Sequence, residues 1–160
     1  KVRVIMGPQD NYFSEKGLSD FLNEKFKVSS QADRMGYRLN GVKIEHKNGA
    51  DIISDGIAAG SVQVSGDGKP IIMLADRQTT GGYTKIATVI TVDVDIVAQK
   101  RPGDSLCFEK ISLKEAQKLL KERKEIYNKI EKKEEKLGSS KHYNIKIDGE
   151  KFEVELQEIL

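Results

Sequence analysis

Polar side chains that could bind an anion or an amide are concentrated in one stretch, directly after the apolar run of residues 71–75. In order, they are Asp76, Arg77, Gln78, Thr79, Thr80, Gly81, Gly82 and Tyr83. The arginine offers a planar fork of donors that matches a carboxylate or a phosphate, and the carboxamide both donates and accepts. The glycine pair lets the backbone itself approach a ligand. We therefore predict a site whose catalytic residues, in contact with the substrate or phosphoryl group, are Arg77, Gln78, Thr79 and Thr80. Gly81, Gly82 and Tyr83 are predicted as substrate-binding residues.

Spacing alone leaves a structural alternative open, in which Asp76 and Arg77 tie down a neighbouring strand and the glycines form a bulge. An Asp-Arg pair also occurs at Asp33 and Arg34, ahead of a predicted strand, and Arg34 is our candidate for a second anion contact. Because adjacent strand residues point to opposite faces, we do not expect both members of either pair to face one site. Gln63 follows a glycine-punctuated turn and is either a substrate-binding residue or a satisfied strand residue.

Composition excludes several classes of function. The chain has 160 residues, 38% of them hydrophobic, and a net charge of +2, which gives no argument for nucleic acid as a partner. Its longest apolar run, residues 70–75, is too short to span a bilayer, so we expect no membrane partner. The single cysteine, Cys107, permits no intramolecular disulfide and favours a reducing, cytoplasmic location. One cysteine and two histidines in unrelated segments form no zinc motif, so we predict no metal site, and the chain contains no Walker loop for ATP.

The elements that must position these residues are mainly short strands. Alternating apolar residues predict strands at residues 2–6, 37–39, 42–46, 61–64, 71–75, 85–90 and 105–108, and Ser14 is a plausible helix N-cap. This spacing is typical of a closed or sandwiched β structure. A Ser-x-x-Glu capping box at Ser112 opens a long Lys/Glu-rich helix, and Asp148-Gly149 lies between two alternating apolar runs as in a hairpin.

We accordingly divide the chain into a barrel (residues 1–111), a charged helix (112–138) and a C-terminal hairpin (139–160). The apolar faces of the helix and hairpin must be buried somewhere, on the barrel, on each other or on a second chain. We favour a partner surface, which makes a homodimer possible.

Four stretches resemble one known family. They are residues 30–39, Asp55-Gly56-Ile57, residues 60–64 and residues 74–83. Together they are similar to the allophanate hydrolase subunit 2 family of bacteria, which also includes the C subunit of 5-oxoprolinase and the carboxyltransferase domain of urea carboxylase. The resemblance covers about residues 2–108 and implies a mainly β fold with peripheral helices, a cyclophilin-like β-barrel. Family members have another portion before this one, so we expect the chain to be a C-terminal half, in agreement with its lack of an initial methionine.

The resemblance implies a subunit of an ATP-dependent 5-oxoprolinase complex that hydrolyses 5-oxoproline to L-glutamate, with ATP held by the complex. The implied partners are a sister subunit, of the type of the 5-oxoprolinase B subunit or of allophanate hydrolase subunit 1, and a lactam-hydrolase subunit. The isolated fragment is then expected to be inactive. One alternative is the carboxyltransferase component of a biotin-dependent urea or amide carboxylase, with biotin supplied by another domain. Another is a regulatory binding module that pairs with a kinase-inhibitor subunit.

Overall fold

The computed structural model describes residues 1–137 and 141–156. The chain forms two compact units, Lys1–Leu120 and Lys121–Leu160. The elements in chain order are β1 (Val2–Met6), α1 (Glu15–Asn23), β2 (Phe26–Val28), β3 (Gly36–Asn40), β4 (Asp51–Gly56), β5 (Ser61–Val64), β6 (Pro70–Met73), β7 (Thr80–Val89), α2 (Val94–Ala98), β8 (Ser105–Leu106), β9 (Phe108–Lys110), α3 (Leu113–Leu137), β10 (Lys141–Ile147) and β11 (Glu150–Leu156).

The first nine strands form one strongly curved sheet. Their order is β8-β2-β3-β6-β5-β7-β1-β9, and β4 pairs with β7 off this path. The strands at the two ends of the path, β8 and β9, are separated in the chain only by Cys107. Because one residue spans at most about 3.6 Å, the ends of the sheet must lie close together, and the sheet is a nearly closed barrel. The predicted fold class, mainly β with peripheral helices, a long helix and a C-terminal hairpin, is confirmed.

The core of the first unit fills the inside of this barrel. Alternate residues of the central strands, among them Val62, Val64 and Ile72, are fully buried there. Phe21 of α1 stacks on Phe108 with ring centroids 4.3 Å apart. Both rings belong to the main core cluster, so the contact packs α1 against the barrel core.

Several local predictions are confirmed and others are wrong. Strands β1 and β5 have the predicted bounds, and the Oγ of Ser14 caps α1 by accepting a hydrogen bond from the N–H of Gly17 at 3.0 Å. The strand predicted at residues 42–46 is wrong, because that segment makes only an isolated bridge between Phe13 and His46. The single strand predicted at residues 105–108 is two strands that pair with different neighbours.

The turn of the hairpin in the second unit has the conformation that Asp148-Gly149 predicts. Asp148 and Gly149 both have positive φ, 51° and 93°, as a two-residue mirror-image turn requires. Tyr143 pairs with Val154 and Ile145 with Phe152, so that apolar side chains share one face of the hairpin. No helix among the described residues is long and apolar enough to cross a membrane.

Candidate functional site

A row of mixed polar and apolar side chains crosses the outer face of the barrel. Arg38 of β3 lies opposite Ile71 of β6, Ile71 lies opposite Gln63 of β5, and Gln63 lies opposite Lys85 of β7. Directly opposed residues on neighbouring strands place their side chains on the same face of a sheet. The residues that alternate with them, such as Leu39 and Ile72, are buried in the core. The row therefore lies on the outside of the barrel.

A groove of about 150 Å³ lies on this outer face. Its lining residues are Gln31, Asp33, Met35, Gly36, Arg38, Gln63, Ile71, Met73, Gln78 and Tyr83. Ile71 and Met73, with Ile57, form a small apolar cluster separate from the main core. The groove thus combines apolar surface with carboxamides, the guanidinium of Arg38 and the carboxylate of Asp33, whose Oδ1 accepts from the backbone N–H groups of Met35 and Gly36. Pockets orient small polar ligands by such a combination. We refer to this groove below as the outer-face groove.

Three of the predicted site residues, the catalytic candidate Gln78 and the substrate-binding candidates Gln63 and Tyr83, line this groove. Gln63 is only 2% exposed, and its Nε2 donates to the carbonyl oxygen of Tyr83 at 3.3 Å. Gln78 and Tyr83 line the groove beside it. Gly81 allows their approach, since a Cβ added there would lie 3.1 Å from the Nε2 of Gln63 and 2.7 Å from Cδ1 of Ile57.

Thr79, Thr80 and Gly82 are placed by backbone contacts to the neighbouring strand. The carbonyl oxygen of Thr79 accepts from the N–H of Ile57 at 2.9 Å, and Thr80 pairs with Gly56 of β4. A Cβ added at Gly82 would meet the carbonyl oxygen of Ile52 at 3.3 Å. Thr79 and Thr80 thus hold the end of β4 against β7, and Gly82 leaves room for the backbone of Ile52.

Arg77 contacts protein backbone. Its Nε donates to the carbonyl oxygen of Ile57 and its Nη1 to that of Leu74, both at 3.1 Å. The guanidinium thereby ties the turn after β6 to the end of β4. These contacts favour the structural alternative for Arg77, and Arg38 is the arginine that lines the outer-face groove.

Arg34 makes a two-point contact with Asp76. The Nε of Arg34 lies 2.8 Å from Oδ2 of Asp76, and its Nη2 donates to Oδ1 at 3.3 Å. Both Asp-Arg pairs lie in turns outside the strands, so the alternation of strand side chains does not apply to them. Asp33 and Arg34 in fact line the same cleft of about 400 Å³, which lies beside the outer-face groove. Strand alternation is therefore not a valid reason for the expectation, but Asp33 and not Arg34 lines the outer-face groove, so the expectation itself stays a prediction.

Sequence reasoning missed a buried lysine that is paired with a surface carboxylate. The side chain of Lys85 is 3% exposed, and its Nζ lies 3.0 Å from Oδ2 of Asp55, whose side chain is 55% exposed. Gln9 joins the pair, with its Nε2 3.4 Å from the same carboxylate oxygen and its Oε1 accepting from the backbone N–H of Lys85 at 3.0 Å. The N–H of Gly56 donates to the other oxygen of Asp55 at 2.7 Å.

The hydrogen bond from Lys85, followed by that from Gly56, holds the pKa of Asp55 below its usual range. The cluster therefore presents an ionised carboxylate on β4, opposite Gly81, whose near neighbours include Gln63 and Gln78 of the outer-face groove. The sequence pattern draws attention to the stretches that contain Asp55 and Gln9, but only strand pairing brings them to Lys85. The pairing of β4 with β7 places Asp55 there, and the backbone N–H of Gln9, after β1, donates to the carbonyl oxygen of Lys85 at 3.0 Å. A buried ammonium is costly unless paired, and such groups are frequent at functional sites.

Comparisons with known proteins place this geometry in context. The family model described as carboxyltransferase domain, subdomain A and B, matches residues 1–110. The chain is 42% identical over 126 residues to the C subunit of the Haemophilus influenzae 5-oxoprolinase, covering 79% of this chain and 40% of that protein. It is 34% identical over 130 residues to the C subunit of the Escherichia coli 5-oxoprolinase, covering 81% of this chain and 42% of that protein.

A solved structure has the same fold. The crystal structure of the K. lactis urea amidolyase superposes with a TM-score of 0.73 at 27% sequence identity, covering 78% of this chain and 8% of that chain. The chain spans about 40% of the length of the curated relatives it matches.

Proposed function

The chain belongs to the carboxyltransferase domain family, subdomain A and B, and from that membership we propose that it is part of a 5-oxoprolinase subunit. The complex containing it hydrolyses 5-oxoproline to L-glutamate with the use of ATP. The observation that carries this proposal is the identity to two proteins named as the C subunit of 5-oxoprolinase, the higher value being 42%. The identity to the K. lactis urea amidolyase, at 27%, is lower.

The outer-face groove supports the proposal by its chemistry. 5-Oxoproline is a small ring that carries an amide N–H beside a carbonyl group, together with a carboxylate. Ile71 and Met73 offer apolar surface for the ring. Arg38 offers a fork of donors for the carboxylate, and Gln78 offers a carboxamide for the lactam.

ATP does not fit the outer-face groove. A pocket for a drug-sized ligand measures at least about 300 Å³, whereas this groove measures about 150 Å³. Among the described residues, Arg38 is the one basic residue in its lining. The sequence contains no Walker loop. We therefore propose that the complex holds ATP outside this groove and that the groove contacts the lactam.

The proposed partners are a sister subunit of the 5-oxoprolinase B type and a further subunit that completes lactam hydrolysis. Because the chain spans about 40% of its curated relatives, we expect the 160 residues alone to show no turnover.

Reconstitution tests the proposal. The full-length subunit that contains this chain is assembled with its partners, and glutamate released from 5-oxoproline is measured with and without ATP. We expect release that requires both ATP and the full-length subunit. Release that is unchanged when the subunit is omitted would refute the proposal.

A second candidate function is supported by the structural match. The K. lactis urea amidolyase shares the fold at a TM-score of 0.73, which favours a carboxyltransferase component that acts on urea or a similar amide, with biotin carried by another domain. Biotin-dependent carboxylation of urea by the assembled protein, in the absence of glutamate release from 5-oxoproline, would select this function.

A further inference from the structure

We propose that Asp55, anchored by the buried ammonium of Lys85 and by Gln9, accepts a hydrogen bond from the N–H of the substrate. The carboxylate thereby makes the site specific for an amide or lactam over the corresponding ester or lactone. This inference rests on the proposed function and adds to it the side chain that recognises the nitrogen.

The position of Asp55 follows from strand pairing. Asp55 of β4 lies opposite Gly81 of β7, and a Cβ added at Gly81 would lie 3.1 Å from Nε2 of Gln63 and 3.7 Å from Nε2 of Gln78. Residues 81, 83 and 85 alternate along β7 and share one face of the sheet. The carboxylate of Asp55 and the carboxamides of Gln63 and Gln78 thus all lie near Gly81 of β7, with the carboxylate on the neighbouring strand β4.

Three hydrogen bonds fix the carboxylate before any ligand arrives. They come from Nζ of Lys85 at 3.0 Å, from the N–H of Gly56 at 2.7 Å and from Nε2 of Gln9 at 3.4 Å. Since Lys85 is buried, its ammonium must keep a charged partner, and this requirement holds Asp55 in place. More than half of the Asp55 side chain nevertheless remains exposed, which leaves it room to accept from a ligand.

The chemistry of an ionised carboxylate explains why the site should bind a lactam in preference to the corresponding lactone. It accepts hydrogen bonds and cannot donate them, so it binds the N–H of a lactam and repels the ring oxygen of a lactone. The bond from Lys85 lowers the pKa of Asp55, so that the carboxylate stays an acceptor throughout the neutral range. Gaining one hydrogen bond between a charged and a neutral group should favour binding of the lactam over the lactone by roughly 10- to 100-fold.

The test compares two ligands that differ at one atom. They are L-5-oxoproline and the lactone analogue in which the ring N–H is replaced by oxygen, and their binding to the reconstituted complex is measured by calorimetry. The variant is Asp55→Asn, which can donate to the ring oxygen. The matched control is Asp67→Asn, because Asp67 is also a surface carboxylate beside a lysine but lies in the loop between β5 and β6. The double variant Asp55→Asn with Lys85→Met is also measured, because it removes the ammonium that the single change leaves unpaired.

We expect the unaltered complex and Asp67→Asn to prefer the lactam by roughly 10- to 100-fold, and the Asp55 variants to bind the two ligands about equally. An unchanged preference in a folded Asp55 variant overturns the inference. A complex that releases glutamate from 5-oxoproline but shows no preference for the N–H also overturns this inference while leaving the proposed function standing. A complex that binds neither ligand overturns both.

Discussion

Arg38 and Arg77 have the same donor chemistry but different surroundings in the folded chain. Arg38 lines the outer-face groove, whereas Arg77 donates to the backbone carbonyls of Ile57 and Leu74. The difference arises because Arg38 lies on a strand with its side chain on the outer face, while Arg77 lies in the turn after β6. Donor geometry and its place after an apolar run made Arg77 a candidate, because the turn that uses its donors could not be read from the sequence. Arg38 was not identified as a site residue from the sequence.

We predict that Arg77→Lys lowers the free energy of unfolding by about 1 to 3 kcal/mol, because a point-like ammonium cannot serve two carbonyls that a planar fork serves together. Urea denaturation measures the loss. Arg101→Lys is the control, since that side chain is exposed. Full stability combined with a large loss of turnover in the complex would instead give Arg77 the catalytic role that the sequence indicated.

A second prediction at this scale concerns pH and the ion pair between Arg3 and Asp93. Asp93 is 1% exposed, and burial opposes its ionisation, but hydrogen bonds from Nε of Arg3 at 2.9 Å and from its backbone N–H at 2.8 Å outweigh burial and lower the pKa of Asp93. A carboxyl group with a lowered folded pKa stabilises the fold above its unfolded value of 3.8. That contribution is lost as the pH falls through the lower folded pKa.

Asp93→Asn should therefore cost about 1 to 3 kcal/mol at neutral pH, because it removes the charge that pairs with Arg3, whose side chain is 33% exposed and can still reach water. The difference in stability between the unaltered chain and the variant should shrink as the pH falls below about 4. Urea denaturation of both proteins across this range gives the difference at each pH. A difference that does not change with pH would show that the pair does not have the proposed electrostatic role.

At the scale of elements, the sequence predicts what depends on local pattern and misses what depends on pairing. β1, β5 and the C-terminal hairpin are readable because their apolar residues alternate and their turns have specific chemistry. β4 (Asp51–Gly56) was missed because Asp, Ser and Gly are poor strand formers, and it exists through its pairing with β7. The cluster of Asp55, Lys85 and Gln9 was missed for the same reason, because it depends on strand pairing. In contrast, Gln63, Gln78 and Tyr83 of the outer-face groove were all identified from the sequence.

The hairpin of β10 and β11 gives a prediction of its own. Its apolar face includes Tyr143, Ile145 and Phe152, all exposed, and a two-stranded hairpin is marginally stable alone in water. We predict that it packs against a second copy of the chain. Light scattering should report a dimer for the unaltered chain and a monomer for Phe152→Ser.

Glu153→Ser is the matched control, because Glu153 lies opposite Asn144 on the other face of the hairpin. It should remain a dimer. Equal monomeric masses for all three proteins would contradict the prediction.

At the scale of the whole molecule, the near closure of the barrel links the fold to the proposed function. The groove takes residues from β3, β5, β6 and β7 and from the turns beside them. Strands joined in a single curved sheet over a packed core hold such residues in fixed relative positions. The fold therefore supplies a rigid surface on which a small lactam can be oriented.

The central claim is that the outer-face groove binds the lactam in a 5-oxoprolinase, and binding of L-5-oxoproline to the reconstituted complex tests it most directly. We compare the unaltered complex with Arg38→Gln, which removes the guanidinium from the groove, and with Arg101→Gln, which removes an exposed guanidinium outside it. The account predicts that Arg38→Gln weakens binding by roughly 10- to 100-fold, the effect of losing one charge-assisted contact, with an unchanged thermal melt. Unchanged binding by a folded Arg38→Gln complex, or an equal loss in Arg101→Gln, would contradict it.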